Sequence, residues 1–346
     1  MRELDERKQK ILQAIVQDYI TSAEPVGSRT VARKYNLGIS AATIRNEMFD
    51  LEMMGYLEQP HTSAGRTPSA KGYRFYVDCL LQPAKIREDE KRLVQSWFAD
   101  KLEDVDQIFQ STAKVLAKIT HNVTLVVAPR QIGAKLKYIR FVPLDDRRAI
   151  MLVVTDSGEV ENSIYVKPAD VDTDELNLLA EKLTNRLTGM RLDKITAELV
   201  DSFRGDIVGD LDLYRTAFRS LHQSFRKQEL YRGGTMELLN APEFRDVDKA
   251  LSLFGMLEER EKIVDLLNEG RQEGDSSVVV RIGDDRSPVP LNDCSIIEAT
   301  FRGDDEVLGK IAVLGPTRME YAKIIGLLEF MKEHVTQILT HYRDDK

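Results

Sequence analysis

Residues 36–48 read NLGISAATIRNEM, and no other stretch restricts the fold of this chain as much. Gly38 is free to take the positive φ of a tight turn. Ser40 is suited to cap a helix N-terminus. Ile44, Met48 and Leu51 then recur at i, i+4 and i+7, the stripe of a helix buried on one side. The opposite side starts almost bare, with Ala41 and Ala42, and continues with Thr43, Arg45, Asn46 and Phe49. Just before it, Ser28 is a candidate cap for a short helix reaching Tyr35, packed by Val31, Ala32 and Tyr35. Two short helices and a glycine turn form a helix–turn–helix pattern, and neither helix can bury its stripe alone.

The surrounding residues supply what they pack against. Leu4, Ile11, Leu12, Ile15, Val16, Tyr19 and Ile20 lie on one helical stripe, which TSAEPVGS interrupts. After the turn–helix pair, Gly55 is placed to end the helix. GYLEQ reads as a short strand and PHTSAG as a loop tip. Thr67-Pro68 reads as a cap with proline in the first helical turn, and a helix follows to Leu81 through Tyr73, Val77 and Leu80. In such a unit the second helix enters a DNA major groove by its N-terminal end. Small Ala41 and Ala42 allow close approach and contact with thymine methyls, Asn46 suits adenine, and Arg45 suits guanine or phosphate. Ser40 and Thr43 open the helix, where backbone N–H groups hold phosphate. Ser28 and Arg29, at the start of the preceding helix, join the same DNA-binding set. The loop PHTSAGR has the look of a wing, with His61, Thr62, Ser63 and Arg66 suited to backbone or minor-groove contact. A plain surface helix and a polar hairpin tip fit the same residues, and local pattern leaves these alternatives open.

Charge is unevenly distributed. Residues 1–80 hold 11 of the 49 Lys and Arg and 10 of the 57 Asp and Glu, so the excess behind the net charge of −8 lies beyond them. From His61 to Tyr76 there are three cations and no carboxylate. An anionic partner is tolerated at one end and repelled elsewhere. No apolar run is long enough for a membrane helix. The start, MRELDERKQK, lacks the apolar stretch of a signal peptide. Cys79 and Cys294 belong to no CxxC. A cytoplasmic protein is the expectation, with Cys79 read as a buried thiol in VDCLL.

Beyond residue 82, QPAKIREDEKR reads as a linker and 93–120 as one long helix, fit either for a coiled-coil seam or for burial on a sheet. VTLVV (123–127) is a buried strand. Strand-like runs at 136–142, 149–155 and 159–166 precede helical patterns at 173–190, 193–203 and 206–231, an α+β block with its own core. YRGG (231–234) marks its exit. A helical pattern at 244–269, strands at 278–282, 295–301 and 309–314 with a turn at Gly303-Asp304-Asp305, and a helix at 319–342 complete the chain. Catalytic motifs are missing: no HExxH, GxSxG, GxxxxGK[ST] or GxGxxG occurs. His334 and His341 share a helix face seven residues apart and read as exposed side chains rather than as a metal pair. The reading assigns no catalytic residue, metal or cofactor, and an enzyme is not expected.

The segments SAEPVGSRTVARKYNLGISAATIRNEM, GYLEQPHTSAGRTPSAKGYRFYVD and GKIAVLGPTRMEY together resemble the HrcA family of bacterial heat-inducible transcription repressors. The resemblance runs from about residue 4 to the last helix. It implies an α+β multidomain fold: a winged helix–turn–helix at 1–82, a GAF-like α/β domain at 83–130 and 236–346, and a dimerisation domain inserted at 131–235. It implies repression of class I heat-shock chaperone operons, such as those for GroEL and DnaK. The repressor would act as a homodimer on the inverted repeat CIRCE, with the GroEL chaperonin as modulator. The family's DNA contacts map onto Ser40 to Asn46 and His61 to Arg66. A second reading is a sensor that holds a small molecule in the GAF-like domain and thereby gates DNA binding.

Overall fold

A computed structural model describes residues 4–61, 64–98, 105–129, 134–168, 171–195, 199, 228–269, 278–283, 294–303 and 306–344. The chain divides into two compact units, Met1–Val127 with Leu230–Ile338 and Ala128–Glu229 with Leu339–Lys346. The described residues form a mixed α and β molecule with three sheets among them.

The first unit begins with α1 (Glu6–Ser22), α2 (Ser28–Lys34) and α3 (Ala41–Met53). The Asp5 carboxylate caps α1 by accepting the Lys8 N–H at 2.8 Å, which holds its own pKa below the usual carboxylate value. Ile11, Leu12, Ile15, Val16, Val31, Ile44 and Leu51 are all fully or almost fully buried. The stripes expected from spacing therefore form one small core. Gly38 has φ +68°, as the turn requires. The hairpin β1 (Leu57–Glu58) and β2 (Thr67–Pro68) and the helix α4 (Ala70–Phe75, extended by a wider turn through Leu80) follow.

Two expectations are corrected here. Thr67-Pro68 does not start the helix: it is the return strand of the hairpin, pairing Thr67 with Glu58 and Pro68 with Leu57. Ser69 is the cap, its Oγ accepting the Gly72 N–H at 3.1 Å. Ser28 is not a cap either. A bridge between Val26 and Arg66 keeps the backbone extended through Gly27, so Gly27 holds the cap position and Ser28 is the first helical residue. Cys79 is exposed rather than buried, because the widened last turn rotates it away from the core.

Helices α5 (Glu88–Trp97) and α6 (Val105–Thr120) replace the single helix expected from 93 to 120. Helix therefore begins inside the stretch read as a linker. A five-stranded sheet has the order β7-β3-β10-β9-β8. Its strands are β3 (Val123–Pro129), β7 (Gln228–Gly233), β8 (Val279–Ile282), β9 (Cys294–Gly303) and β10 (Glu306–Pro316). β7 overlaps the end of the helical pattern read at 206–231, and the remainder of that pattern lies outside the described residues, as does most of 193–203. The pattern at 244–269 is two helices, α8 (Val247–Glu258) and α9 (Arg260–Glu269), and α10 (Tyr321–Asp344) closes the chain. Val123, Leu125 and Val127 of β3 pack with Leu253, Leu257 and Ile263 of α8 and α9. On the other face Phe301 meets Phe109 of α6, ring centroids 5.8 Å apart. With both faces covered, β3 is buried along almost its whole length rather than alternating.

Beneath α9 lies a buried charge group. Arg281 pairs with Glu298 at 3.0 Å and Lys310 stands 3.9 Å from the same carboxylate. Arg281 also donates to the Leu266 carbonyl at 2.9 Å, and Lys310 donates to the Leu267 carbonyl. Two cations facing one carboxylate would leave charge uncompensated. The free carbonyls at the C-terminal end of α9 supply the remaining negative partner.

In the second unit, β4 (Leu136–Pro143), β5 (Arg148–Thr155) and β6 (Val160–Val166) form an antiparallel sheet covered on one face by α7 (Thr173–Leu187). Phe141, Met151 and Tyr165 pack there with Leu176, Leu179 and Leu183. The edge strand β4 loses free donors to α7: the Ile139 N–H donates to Thr184 Oγ1 at 2.9 Å and the Phe141 N–H to Asn177 Oδ1 at 3.0 Å. Such blocking suppresses unwanted strand pairing at an edge.

His334 is not an exposed helix residue. It lies edge-on to Phe98 and stacked on Phe330, at 5.4 and 5.7 Å. Its Nε2 is buried and has no hydrogen-bond partner among the described residues. Burial pushes its pKa down, so at pH below the unfolded-state value of ~6.5 the unfolded chain binds the extra proton first. Stability should therefore be fully present above that pH and fall as pH drops through the lowered folded value. In urea unfolding between pH 7.5 and 5, His334→Phe should flatten that decline; an unchanged pH profile would contradict the assignment.

Candidate nucleic-acid interface

The start of α3 is built as expected. Ser40 Oγ accepts the Thr43 N–H at 3.1 Å and stands 3.0 Å from Thr43 Oγ1. Ile44, Met48 and Leu51 face inward. Ala42, Arg45, Asn46 and Phe49 are exposed, and Ala41 and Thr43 are half-buried. The first turn therefore presents backbone and small side chains to the outside.

A cleft of about 500 Å³ opens beside this turn, lined by Gly27, Ser28, Arg29, Arg45, Gln59 and Arg66 among others. The fold thus brings together four predicted residues from three separate segments. Arg29 and Arg45 are exposed and make no ion pair among the described residues. Ser28 is largely buried. Ser40, Ala41, Ala42, Thr43 and Asn46 lie on α3 outside the cleft lining. His61 is exposed at the hairpin tip, where its carbonyl accepts the Ala64 N–H at 2.8 Å. Thr62 and Ser63 lie outside the described residues.

Arg66 has another function in the fold. Its Nε and Nη2 both reach Glu52 Oε2 of α3, at 2.9 and 2.7 Å. Its backbone forms two hydrogen bonds with Val26, each 2.9 Å. The hairpin is thus held to α3 by a side chain and to the entry of α2 by the main chain. Gly65 makes this approach feasible, since a Cβ there would lie 2.5 Å from the Val26 carbonyl.

The acidic residues on α3 are likewise matched by cations. Lys8 of α1 lies 2.6 Å from Glu47 and 3.3 Å from Asp50, and Arg7 lies 3.4 Å from Glu47. The hydrogen bond to Glu47 drives the Lys8 pKa further above its ordinary value. With Glu52 held by Arg66, each of the three carboxylates of α3 faces a cation, which reduces their repulsion of an anion approaching the helix. Sequence reasoning missed Lys8, Glu47 and Glu52. Their partners lie 14 to 42 residues away, beyond the reach of any local pattern.

No group of histidine, cysteine, aspartate and glutamate able to hold a metal occurs among the described residues. No helix among them is long and apolar enough to cross a membrane.

Gly65→Ala should force the hairpin away from the α2 entry and lower stability by about 1–3 kcal/mol, the usual cost of overpacking. Thermal unfolding checks this, and a melting temperature equal to that of the parent would refute the close approach.

The chain is similar to proteins already known. The family described as "HrcA protein C terminal domain" matches residues 106–325. A heat-inducible transcription repressor HrcA from Symbiobacterium thermophilum is 43% identical over 339 residues, covering 97% of this chain and 98% of that protein. Its counterpart from Pelotomaculum thermopropionicum is 39% identical, covering 97% of each. A crystal structure of a hypothetical protein has a similar fold, with TM-score 0.62 and 22% identity over 98% of this chain and 99% of that one.

Proposed function

This chain belongs to the HrcA family of heat-inducible transcription repressors, and from that premise we propose how it recognises DNA. The family is one of transcription repressors, not of enzymes. We infer that residues 1–82 are a winged helix–turn–helix, with α3 as recognition helix and the β1–β2 hairpin as wing. The observation that carries this reading is the bare, Ser40-capped first turn of α3 beside the cleft where Arg29 and Arg45 make no ion pair among the described residues. A groove wall can approach Ala41 and Ala42 closely, while Arg45 and Asn46 reach base edges. Arg29 and the α2 start face the phosphates, and His61, Thr62 and Ser63 follow the backbone from the wing. Arg66 acts from behind, holding the wing against α3.

In this reading, residues 83–130 and 236–346 are the GAF-like domain and 131–235 the inserted dimerisation domain. The operator is the inverted repeat CIRCE upstream of chaperone genes, which needs two readers related by a two-fold axis. GroEL modulates the active fraction. The outer face of the β4–β5–β6 sheet supports pairing with a second copy. By register, Tyr138, Val154 and Val160 form one row across it, and Val142, Ile150 and Ile164 another. Ile164 is 61% exposed and Val160 54%. Tyr138 and Val142 are exposed as well, Ile150 is half-buried and Val154 buried. Exposed apolar side chains grouped on one sheet face in this way mark association surfaces.

In a gel-shift assay on the inverted repeat, Arg45→Ala and Asn46→Ala should each weaken binding by about 1–3 kcal/mol. Parental affinity for both variants would remove α3 from the interface. Sedimentation of Ile164→Asp should show monomer at concentrations where the parent is dimeric. A stable dimer in that variant would move the pairing surface elsewhere.

A further inference from the structure

The turn Thr317–Glu320, between β10 and α10, and Tyr321 after it carry the TRMEY part of a motif that DNA contact does not explain. Arg318 donates from Nη1 to the Ile20 carbonyl of α1 at 2.8 Å. The same guanidinium pairs with Glu243, Nε to Oε1 at 2.7 Å and Nη2 to Oε2 at 3.4 Å. Both partners are largely buried, with side chains 16% and 24% exposed. Ile20 belongs to the last turn of α1, where carbonyls lack helical partners and a cation is favoured. Next to it, the Tyr321 ring packs on Tyr73 of α4 with centroids 5.9 Å apart. Tyr321 is fixed in turn by its hydroxyl, 2.8 Å from Ser295 Oγ and 2.6 Å from the Thr317 carbonyl it donates to.

Two more bonds join the same parts. Arg74 of α4 donates to the Val280 carbonyl of β8 at 2.7 Å. The Ala84 N–H, in the stretch between α4 and α5, donates to the Ala322 carbonyl of α10 at 2.9 Å. Gly326, one turn further along α10, leaves no room for a Cβ beneath the Ala84 carbonyl. The segment expected to be a free linker is therefore fastened. A flexible tether of six residues would let its ends wander by roughly 13 Å. Two reading helices must meet half-sites about 34 Å apart in a set orientation.

We propose that Arg318 is a positioning residue for operator binding: by joining the α1 C-terminus to Glu243 it fixes the DNA-reading helices on the five-stranded sheet. This rests on the winged-helix reading above and adds the element that sets its orientation. Arg318 touches no DNA. Its contribution is preorganisation, so it acts on binding to two half-sites at once and not on binding to one.

The test uses the full-length protein, with duplexes carrying the inverted repeat, a single half-site, and repeats whose spacing is altered by one or two base pairs. The parent is measured first. Failure to bind the inverted repeat would overturn the repressor reading and this inference with it. Given parental binding, Arg318→Ala should weaken repeat binding at least tenfold, keep half-site affinity within twofold, and bind altered spacings nearly as well as the natural one. Glu243→Gln, the milder change, should shift each in the same direction by a smaller factor and serves as the readout if Arg318→Ala does not fold. Arg318→Lys should rescue little, because an ammonium lacks the fork that spans both acceptors. Equal losses on half-site and repeat would mean a merely structural role and overturn the inference. So would parental binding with unchanged spacing preference, or tighter binding to the repeat.

Discussion

The burial of Ile44, Met48 and Leu51 against α1 and α2 is the constraint on which the rest of the N-terminal helices and hairpin depends. A helix turns 100° per residue, so committing three residues inward fixes every other side chain around the axis. Ala42 and Asn46 point out because Ile44 and Met48 point in. The apolar stripe sets rotation, and the Ser40 cap sets where the first turn begins. The stripe leaves Glu47, Asp50 and Glu52 at its flanks, a poor arrangement for a helix proposed to meet an anion. The fold answers with cations from elsewhere: Arg7 and Lys8 from α1, and Arg66 from the hairpin. The same contacts that hold the three helices and hairpin together therefore also shape the field at the interface.

Non-directional and directional forces divide the work differently in the sheet. Apolar contact on both faces buries β3 almost throughout, and contact of this kind is non-directional. The Arg281, Glu298 and Lys310 group does not, because each charge must find its counterpart at hydrogen-bond distance. By anchoring to carbonyls at the end of α9, it ties one helix to a defined place on the sheet. At the opposite end, Arg318 does the same for α1. In both places an arginine captures helix C-terminal carbonyls together with a carboxylate, and so joins elements that hydrophobic packing alone would leave free to slide.

What could be read from sequence follows from the range of each interaction. Helical stripes, the Ser40 cap and the Gly38 turn depend on neighbours within about four residues, and they lie where spacing puts them. Thr67-Pro68 was misread because the cap rule is local, whereas the strand pairing of Glu58 with Thr67 crosses a loop. Ser28 lost its expected role to the Val26–Arg66 bridge, a contact forty residues wide in sequence. Spacing makes His334 look exposed because the Phe98 that covers it lies just past the end of α5, far away in sequence. Cys79 was wrong for a local reason, a widened last turn that apolar neighbours do not announce.

The sequence by itself determined the inward and outward faces of α3, the small first turn, the candidate cations and the family, since each is written in short-range periodicity or in residue identity. The tertiary structure alone decided which cations remain for a partner. Among the described residues Arg45 and Arg29 make no ion pair, while Arg66 is committed to Glu52 and Arg318 to Glu243 and the end of α1. The reason is physical: a guanidinium has the same chemistry in every sequence, and only the distance to its nearest carboxylate, set by the fold, fixes whether it binds a ligand or binds the protein to itself.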